Sequence, residues 1–485
     1  MLDAANPANQ MTMRNSILFL LLMPLLLAAA ADAQSPGRKV TYITYDEARP
    51  LLETLSEILP AELKAAGSSD KAATWSTWVA RRDAEIRTRL IQGDEDSLVN
   101  FLLFGIAYTQ RPRITLQALA QAKQKTNAAE TAAFVDAIKL RAGDLIQGLT
   151  APGSNERLLF ARHVVETKGY NVGTDAARAR LQKYLLDSLA RMLNEQAGYA
   201  KILESARMLG DPSEEFAERS KLFRTRGLSS DTSLMPNFAL ERALASLKAN
   251  GMLASQSVRR VAIVGPGLDF TDKQDGFDFY PQQTIQPFAV IDSLLRLGLA
   301  KPNDLRITTL DLSPRINDHL TRARARAARG TAYVVQLPRD EQWKPELLAY
   351  WSKFGDQIGA AIAPVTPPAA LSALKIRAVS IRPAFVSLLS SEDVDIVLQH
   401  LNLAPAESFD IIIATNILVY YDTFEQSLAM ANIETMLRPG GLLLSNNALL
   451  ELPTSKMHSV GYESVAYSDR PSDGDHIVWY QRQTP

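Results

Sequence analysis

The sequence predicts an α/β domain on a mostly parallel sheet, finished by an antiparallel hairpin and preceded by an all-α domain. Two observations carry this. From residue 261 onward short apolar runs alternate with helical stretches, the βαβα order that gives a parallel sheet with helices on both faces. Before that, residues 35–228 hold amphipathic stretches at helical spacing and no strand-like run. At 485 residues the chain exceeds one ordinary domain. The expected division is 1–33, a signal peptide or amino-terminal anchor; 34–228, all-α; and 229–485, α/β.

The amino terminus has its own grammar. Arg14 precedes an apolar run from Ile17 to Ala31, and Ala31-Asp32-Ala33 follows, the pattern of a secretory signal cleaved after Ala33. A spanning helix needs roughly 20 apolar residues, more than this run supplies. The expectation is export to the periplasm or medium, or membrane anchoring where the segment is retained. Cysteine is absent, which excludes disulfides, thiolate nucleophiles and cysteine metal sites. A net charge of −1 gives no global field toward nucleic acid or anionic membrane.

In the helical half, Leu51, Leu52, Leu55 and Leu59 share one face of 46–63, with Pro60 a break. Ser97 is expected to cap an all-round apolar helix over 98–108. Further helices are expected over 128–145, 156–167, 174–195 and 213–223, joined by short connections as in helix hairpins. His163, beside Arg162, reads as part of an exposed face. A polar turn over 229–233 leads to Pro236, a helix over 237–250, and Gly251 as its stop. In L-F-R-T-R, Arg224 and Arg226 are cationic candidates for a substrate carboxylate, since guanidinium forks match that geometry.

Strands are expected at 261–264, 305–310, 376–380, 409–415 and 441–445, with a hairpin over 461–468 and 476–482. Helices are expected at 288–297, 314–328, 391–401 and 423–437. In an open α/β sheet the ligand sits beyond the carboxyl ends of the strands, and the polar and glycine residues gather there. R-R-V-A-I-V-G-P-G-L-D-F (259–270) is a strand feeding a turn in which Gly265 and Gly267 allow positive φ or close ligand approach. L-R-I-T-T-L ends in Asp311, where a ribose hydroxyl pair is gripped in such folds. F-D-I-I-I-A-T-N reaches Asn416, I-L-V-Y-Y brings Tyr420 and Tyr421, and L-R-P-G-G-L-L-L-S-N closes the series.

Together these motifs, over roughly residues 235–485, resemble the class I S-adenosylmethionine-dependent methyltransferases, a Rossmann-like fold. The later half is most similar to the chemotaxis-receptor (glutamate O-) methyltransferase branch. The resemblance implies S-adenosyl-L-methionine as cofactor, its methionine moiety over Gly265 and Gly267, its ribose on Asp311 and its adenine against Leu312. It implies cofactor and substrate contacts at Asn416, with Tyr420 and Tyr421 beside the transferred methyl. The chain departs from the family at Ile263, where an acid usually stands, and at Asp269, which replaces a third glycine. Asp269 is expected either to meet the methionine ammonium or to weaken cofactor binding. The insertion 271–287 carries Phe277, Phe279 and Tyr280, a lid for the pocket or an inert surface loop.

The expected activity is methyl transfer to a protein or small-molecule acceptor, a carboxylate or other oxygen, with Asn416, Tyr420 and Arg224 as catalytic candidates. A carboxylate acceptor needs no general base, and none is evident among the scattered histidines. No histidine–carboxylate spacing suggests a metal site. N-I-L-V-Y differs from the Asn-Pro-Pro-Tyr of enzymes that methylate base amino groups, which argues against a nucleic-acid partner. Because the methyl donor is made in the cytosol, an exported, non-catalytic binding or scaffold protein of the same fold is the alternative. A dehydrogenase using G-P-G as its dinucleotide turn is a third reading, disfavoured by the missing third glycine.

Overall fold

The computed structural model describes residues 39–65, 71–115, 118–119, 128–209, 223, 226–270, 277–470 and 473–484. The chain divides after Lys39, and the architecture below is that of the unit from Val40 onward. The signal-like segment, most of the helix expected over 213–223, and Arg224 lie outside the described residues.

In chain order the strands are β1 (Val40–Tyr42), β2 (Arg260–Val264), β3 (Arg306–Leu310) and β4 (Tyr333–Arg339). Next come β5 (Gly359–Ile362), β6 (Lys375–Ile381), β7 (Leu389–Glu392) and β8 (Gln399–Leu401). β9 (Phe409–Ala414), β10 (Leu437–Ser445), β11 (Met457–Ala466) and β12 (Gly474–Arg482) complete the set. The main sheet runs β7-β3-β2-β9-β10-β12-β11. Its first five strands are parallel to their neighbours, and β12 alone is reversed against β10 and β11. This is the mostly parallel Rossmann-like sheet with a terminal hairpin.

Alternation along the central strands explains their unbroken apolar sequence. Val261, Ile263, Ile411 and Ile413 face one core with the helices Met235–Ala249, Gln286–Arg296 and Pro314–Ala328. Ala262, Val264, Ile412 and Ala414 face the other with the helix Thr423–Met436 and the first half of a long helix, Lys71–Phe104. A strand covered on both faces has no position where a polar side chain is favoured.

Two expectations for the α/β half are corrected. The run 376–380 does form a strand, but it lies in a separate antiparallel sheet, β4-β6-β5. The edge strand of the main sheet beyond β3 is instead β7, whose L-S-S-E is too short and polar to stand out as a strand. The helix expected over 391–401 does not form. Asp395 Oδ1 accepts the Val397 N–H, and Gln399 Oε1 accepts the Asp395 N–H, so side chains take the donors a helix would need. The segment ends in β8, which pairs antiparallel with β1.

Among the described residues of the first half, every helix or strand other than β1 is a helix, so the all-α expectation is corrected at β1. The helix Glu156–Thr167 lies where expected, and 128–145 and 174–195 extend to Ala128–Thr150 and Asp175–Leu209. The helix expected to start at Ser97 is the last part of Lys71–Phe104, and Ser97 is buried within it rather than capping it. The long helix serves two cores. Trp75, Trp78 and Ile86 pack with the sheet, whereas Leu98, Phe101 and Leu102 pack with the helices Ala128–Thr150 and Glu156–Thr167. Buried Arg141 meets the carbonyl oxygens at its end, donating to Leu102 (2.9 Å), Arg111 (2.9 Å), Pro112 (2.8 Å) and Gly105.

Arg157 joins the helical half to the loop after β2. Its guanidinium donates to the carbonyl oxygens of Asp269 (3.0 Å), Phe270, Tyr280 (2.5 Å) and Phe277 (3.4 Å). Replacing Arg157 with Leu leaves these buried acceptors unpaired, at about 1–3 kcal/mol each, offset by release of a buried charge. Urea unfolding should show a loss of about 3 kcal/mol or more. A loss under 1 kcal/mol would mean that the loop finds other donors.

Candidate functional site

β3 lies on one side of β2 and β9 on the other, so the chain reverses its winding direction at β2, and a crevice opens there beyond the carboxyl ends. A cavity of about 60 Å³ occupies that place. Val264, Gly265 and Gly267 reach it after β2, and Leu310, Asp311 and Leu312 from the end of β3. Val394 and Ile396 line it after β7, and Ile417, Tyr420 and Tyr421 after β9. From the helical side it is closed by Leu90, Leu228, Ser229 and Ser230. Six of the residues singled out in the sequence, Gly265, Gly267, Asp311, Leu312, Tyr420 and Tyr421, therefore share one cavity.

Gly265 and Gly267 both have positive φ, +63° and +68°. A Cβ on Gly265 would run into the Ile417 side chain, and one on Gly267 would sit 2.7 Å from the Asp231 carbonyl oxygen. The closeness that glycine permits is thus filled by the chain's own atoms. Asp311 is buried, and its Oδ1 accepts the Ser313 N–H at 2.8 Å. Burial pushes its pKa up to about 7, against the smaller opposing pull of that N–H and of Arg315. Arg315 donates to Ser230 Oγ (3.2 Å) and lies over the Phe160 ring at 4.1 Å. Its Nε and Nη1 are buried without a partner.

The strap from Arg226 to Ser233 closes the cavity. Gly93 of the long helix and Gly227 of the strap cross with no room for a Cβ on either. The Leu228 N–H donates to the Arg89 carbonyl (3.0 Å). The Arg89 side chain holds the carbonyl oxygens of Arg226 (3.1 Å), Phe223 (2.9 Å) and Tyr420 (2.8 Å). On the other side the Leu268 N–H donates to Ser230 O at 2.8 Å. The strap is bonded both to the helix and to the glycine loop.

Asp269 and Asn416 do not line this cavity. Asp269 Oδ2 accepts from the Tyr280 hydroxyl (2.8 Å) and Gln283 Nε2 (3.0 Å), and the residue borders a second chamber of about 460 Å³. Phe277 and Tyr280 border that chamber too. Asn416 is exposed at φ +58° and exchanges hydrogen bonds with the Asn446 side chain at 2.8 and 2.6 Å. His319 is buried against the Tyr333 hydroxyl at 2.8 Å, and burial pushes its pKa down to about 4. Among the described residues no group of histidine and acidic side chains could hold a metal ion, and no helix is long and apolar enough to cross a membrane.

Sequence reasoning missed Arg89, Leu90 and Gly93, which lie in a charged, helical-looking stretch with only Gly93 as a sign of close backbone approach. It also missed Val394 and Ile396, assigned there to a helix.

The donor set suits an adenosyl group: a buried carboxylate for a hydroxyl pair, and the apolar Leu312, Val394 and Ile396 for a base. The room does not. A cavity of about 60 Å³ holds only a few waters, so a nucleoside enters only when the strap withdraws Leu228.

No protein-family model matches the chain, and comparison with curated protein sequences finds no relative. Solved structures similar to it include the N-methyltransferase NodS from Bradyrhizobium japonicum WM9, at 16% identity over 50% of this chain and 97% of that one, with a TM-score of 0.25. TrmN from Thermus thermophilus matches at 13% identity over 51% of this chain and 52% of that one, TM-score 0.25. The magnesium protoporphyrin IX methyltransferase of Synechocystis PCC 6803, with bound SAM, matches at 10% identity over 51% and 79%, TM-score 0.24. These are likenesses of low identity and low superposition score, and the functional reading rests on the site itself.

Gly93→Ala puts a methyl group into the Leu228 carbonyl and should lift the strap. Hydrogen exchange at the Leu228 amide should speed at least tenfold, while the Ile106 amide, held by Asp278 at 2.9 Å, stays protected. Equal acceleration at both amides would indicate general unfolding instead.

Proposed function

We propose that this protein is an S-adenosyl-L-methionine-dependent methyltransferase whose donor site is the cavity between β2 and β3. One observation carries the reading: a buried carboxylate at the end of β3 faces, across a single cavity, two glycines of positive φ at the end of β2. Asp311 would hold the ribose hydroxyls, Leu312 with Val394 and Ile396 would flank the adenine, and Gly265 and Gly267 would let backbone approach the methionine moiety. When bound, the sulfonium supplies an electrophilic methyl group. The chain's own residues bind and orient the reactants and exclude water, and alignment is worth much of the barrier in such a displacement. Leu90 and Leu228 cover the site against solvent, and Tyr420 stands on the side reached from β9.

The acceptor is unidentified. The sequence motifs' resemblance to the receptor-glutamate branch would favour a carboxylate or other oxygen, with Arg224 as its cation, and Asn416 joins the site on this reading only with rearrangement of the Asn446 pair. A second reading, an exported binding module of this fold without catalysis, is favoured by the closed strap and by Ile263 and Asp269 at positions where the family differs.

Calorimetric titration of residues 34–485 with S-adenosylhomocysteine tests the site. Asp311→Ala should weaken binding by about 1–3 kcal/mol, the cost of unpaired hydrogen-bond partners. Unchanged affinity would place the ribose elsewhere, and no binding by the folded protein would favour the binding-module reading.

The pH dependence has a defined sign. With its pKa pushed up to about 7, Asp311 is largely protonated at pH 6 and largely ionised at pH 8. Accepting two hydroxyl hydrogen bonds favours the ionised form, so affinity should rise from pH 6 to 8, by up to about tenfold per unit below the pKa. The Asp311→Asn variant should show a flat profile over the same range.

A further inference from the structure

A pocket of about 240 Å³ opens between the helices Tyr45–Thr54 and Thr423–Met436 and the loop after β10. It shares no lining residue with the Asp311 cavity, so what it binds does not depend on the reading above. Its volume is below the usual drug-sized range of about 300–1,000 Å³ and suits a small ligand. Leu51, Met430 and Leu452 form apolar walls, and the lining residues Pro50 and Leu450 are exposed.

His400 of β8 lines this pocket and is only 6% exposed. Its ring is fixed by Asn432. The Asn432 Nδ2 donates to the carbonyl oxygens of Ile396 (3.1 Å) and Val397 (2.8 Å), which leaves Oδ1 to accept the His400 Nδ1–H at 3.0 Å. Nε2 is then the acceptor nitrogen of a neutral ring. Glu47 Oε1 lies 3.8 Å from it, too far for a hydrogen bond. The other oxygen of Glu47 accepts the Thr44 N–H (2.7 Å) and hydroxyl (2.8 Å). Glu434 is arranged alike, its Oε2 accepting the Lys456 N–H (2.9 Å) and the Ser455 hydroxyl (3.1 Å). No lysine or arginine lines the pocket. Arg49 and Lys456, the basic residues beside lining positions in sequence, are exposed, and Arg49 pairs with Asp46 at 4.0 Å.

We propose that this pocket binds a small free amine in its protonated form, with the ammonium between His400 Nε2 and Glu47 Oε1 and an apolar tail along the walls. Two acceptors 3.8 Å apart can both lie about 2.9 Å from one nitrogen placed between them, and an ammonium brings three donors. An alcohol has a single donor and serves one of the two. A carboxylate would add a third negative charge beside Glu47 and Glu434. The tail covers Pro50 and Leu450, where the backbone of a lysine-bearing peptide would set polar groups against apolar surface.

The test titrates the full chain at pH 8 with n-hexylamine, 1-hexanol and hexanoate, which share a chain length and differ in the head group. Calorimetry should show the amine binding at least tenfold tighter than either of the others. The chain has five histidines, and the ring-proton resonance of His400, identified by its loss in His400→Gln, should shift and saturate with the calorimetric Kd. Glu47→Gln removes the charge while keeping a residue that closes the capping box at the start of Tyr45–Thr54. It should weaken amine binding at least fivefold with the melting temperature kept. Hexanol or hexanoate binding as tightly as the amine, no amine binding at millimolar concentration, or an unmoved His400 resonance would each overturn the proposal. So would full amine binding by a folded Glu47→Gln protein. Tighter binding of Nα-acetyl-lysine N-methylamide than of hexylamine would overturn it in favour of a partner's lysine.

Discussion

The position of the glycine loop depends on a buried cation from the helical half. Arg157 sits in the first turn of a helix whose start is fixed by Asn155, which accepts the Arg157 and Leu158 N–H groups at 3.0 and 3.1 Å. That cap aims the guanidinium at four carbonyl oxygens of the segments on either side of residues 271–276. A planar group with five donors is the side chain that can serve several acceptors at once. An anion completes the arrangement: Asp278 accepts the Ile106 and Ala107 N–H groups just beyond the long helix. The described part of the insertion is consequently an anchor between the two halves, and Asp269 inherits its place from that anchor.

The strap competes with any nucleoside for the same space, and magnitudes decide how severe the competition is. Exposing a buried leucine costs about 1.5–3 kcal/mol, so withdrawing Leu228 from its contacts costs about that much before hydrogen bonds are counted. A ligand with a Kd near 1 μM has about −8 kcal/mol of net binding free energy. The intrinsic contacts would then need to supply roughly −10 to −11 kcal/mol, since the observed affinity is reduced by the cost of reaching the open state. Such values lie within the range of non-covalent binding. The closed strap lowers affinity without forbidding occupancy.

The central strands were legible because a strand covered on both faces leaves a run of apolar residues, as in 261–264 and 409–414, and because glycine and Asp311 mark where such runs stop. β7 was not legible. A four-residue edge strand with two serines carries neither an apolar run nor an alternation, and the apolar 394–398 beside it imitates a helix. The inserted sheet escaped for a related reason, since 376–380 reads as one more strand and only its partners, β4 and β5, reveal that it belongs elsewhere. In the site, the residues contributed by β2, β3 and β9 could be named in advance. Those contributed by the helical half could not, because Arg89 and Leu90 act through a contact more than one hundred residues distant in sequence, and no local pattern encodes it.

Two carboxyl groups at the carboxyl ends of the sheet, Asp311 and Asp395, both have pKa values pushed up to about 7 by burial. Equal shifts do not mean equal roles. Asp395 is wholly enclosed, its Oδ2 is buried without a partner, and Asp83 and Glu425 add to the cost of its charge. It shapes the turn between β7 and β8 and lines none of the cavities described above. Asp311 lies on a cavity wall, with one oxygen held by Ser313. A perturbed acid points to function when a ligand can reach it and change the balance of its two protonation states, and of this pair Asp311 alone meets that condition. Strap and carboxylate are therefore coupled. While Leu228 and Ser230 stay in place, the carboxyl is held among apolar side chains that disfavour its charge. Displacing them for a ligand with two hydroxyl donors replaces that desolvation with hydrogen bonds to the ionised form.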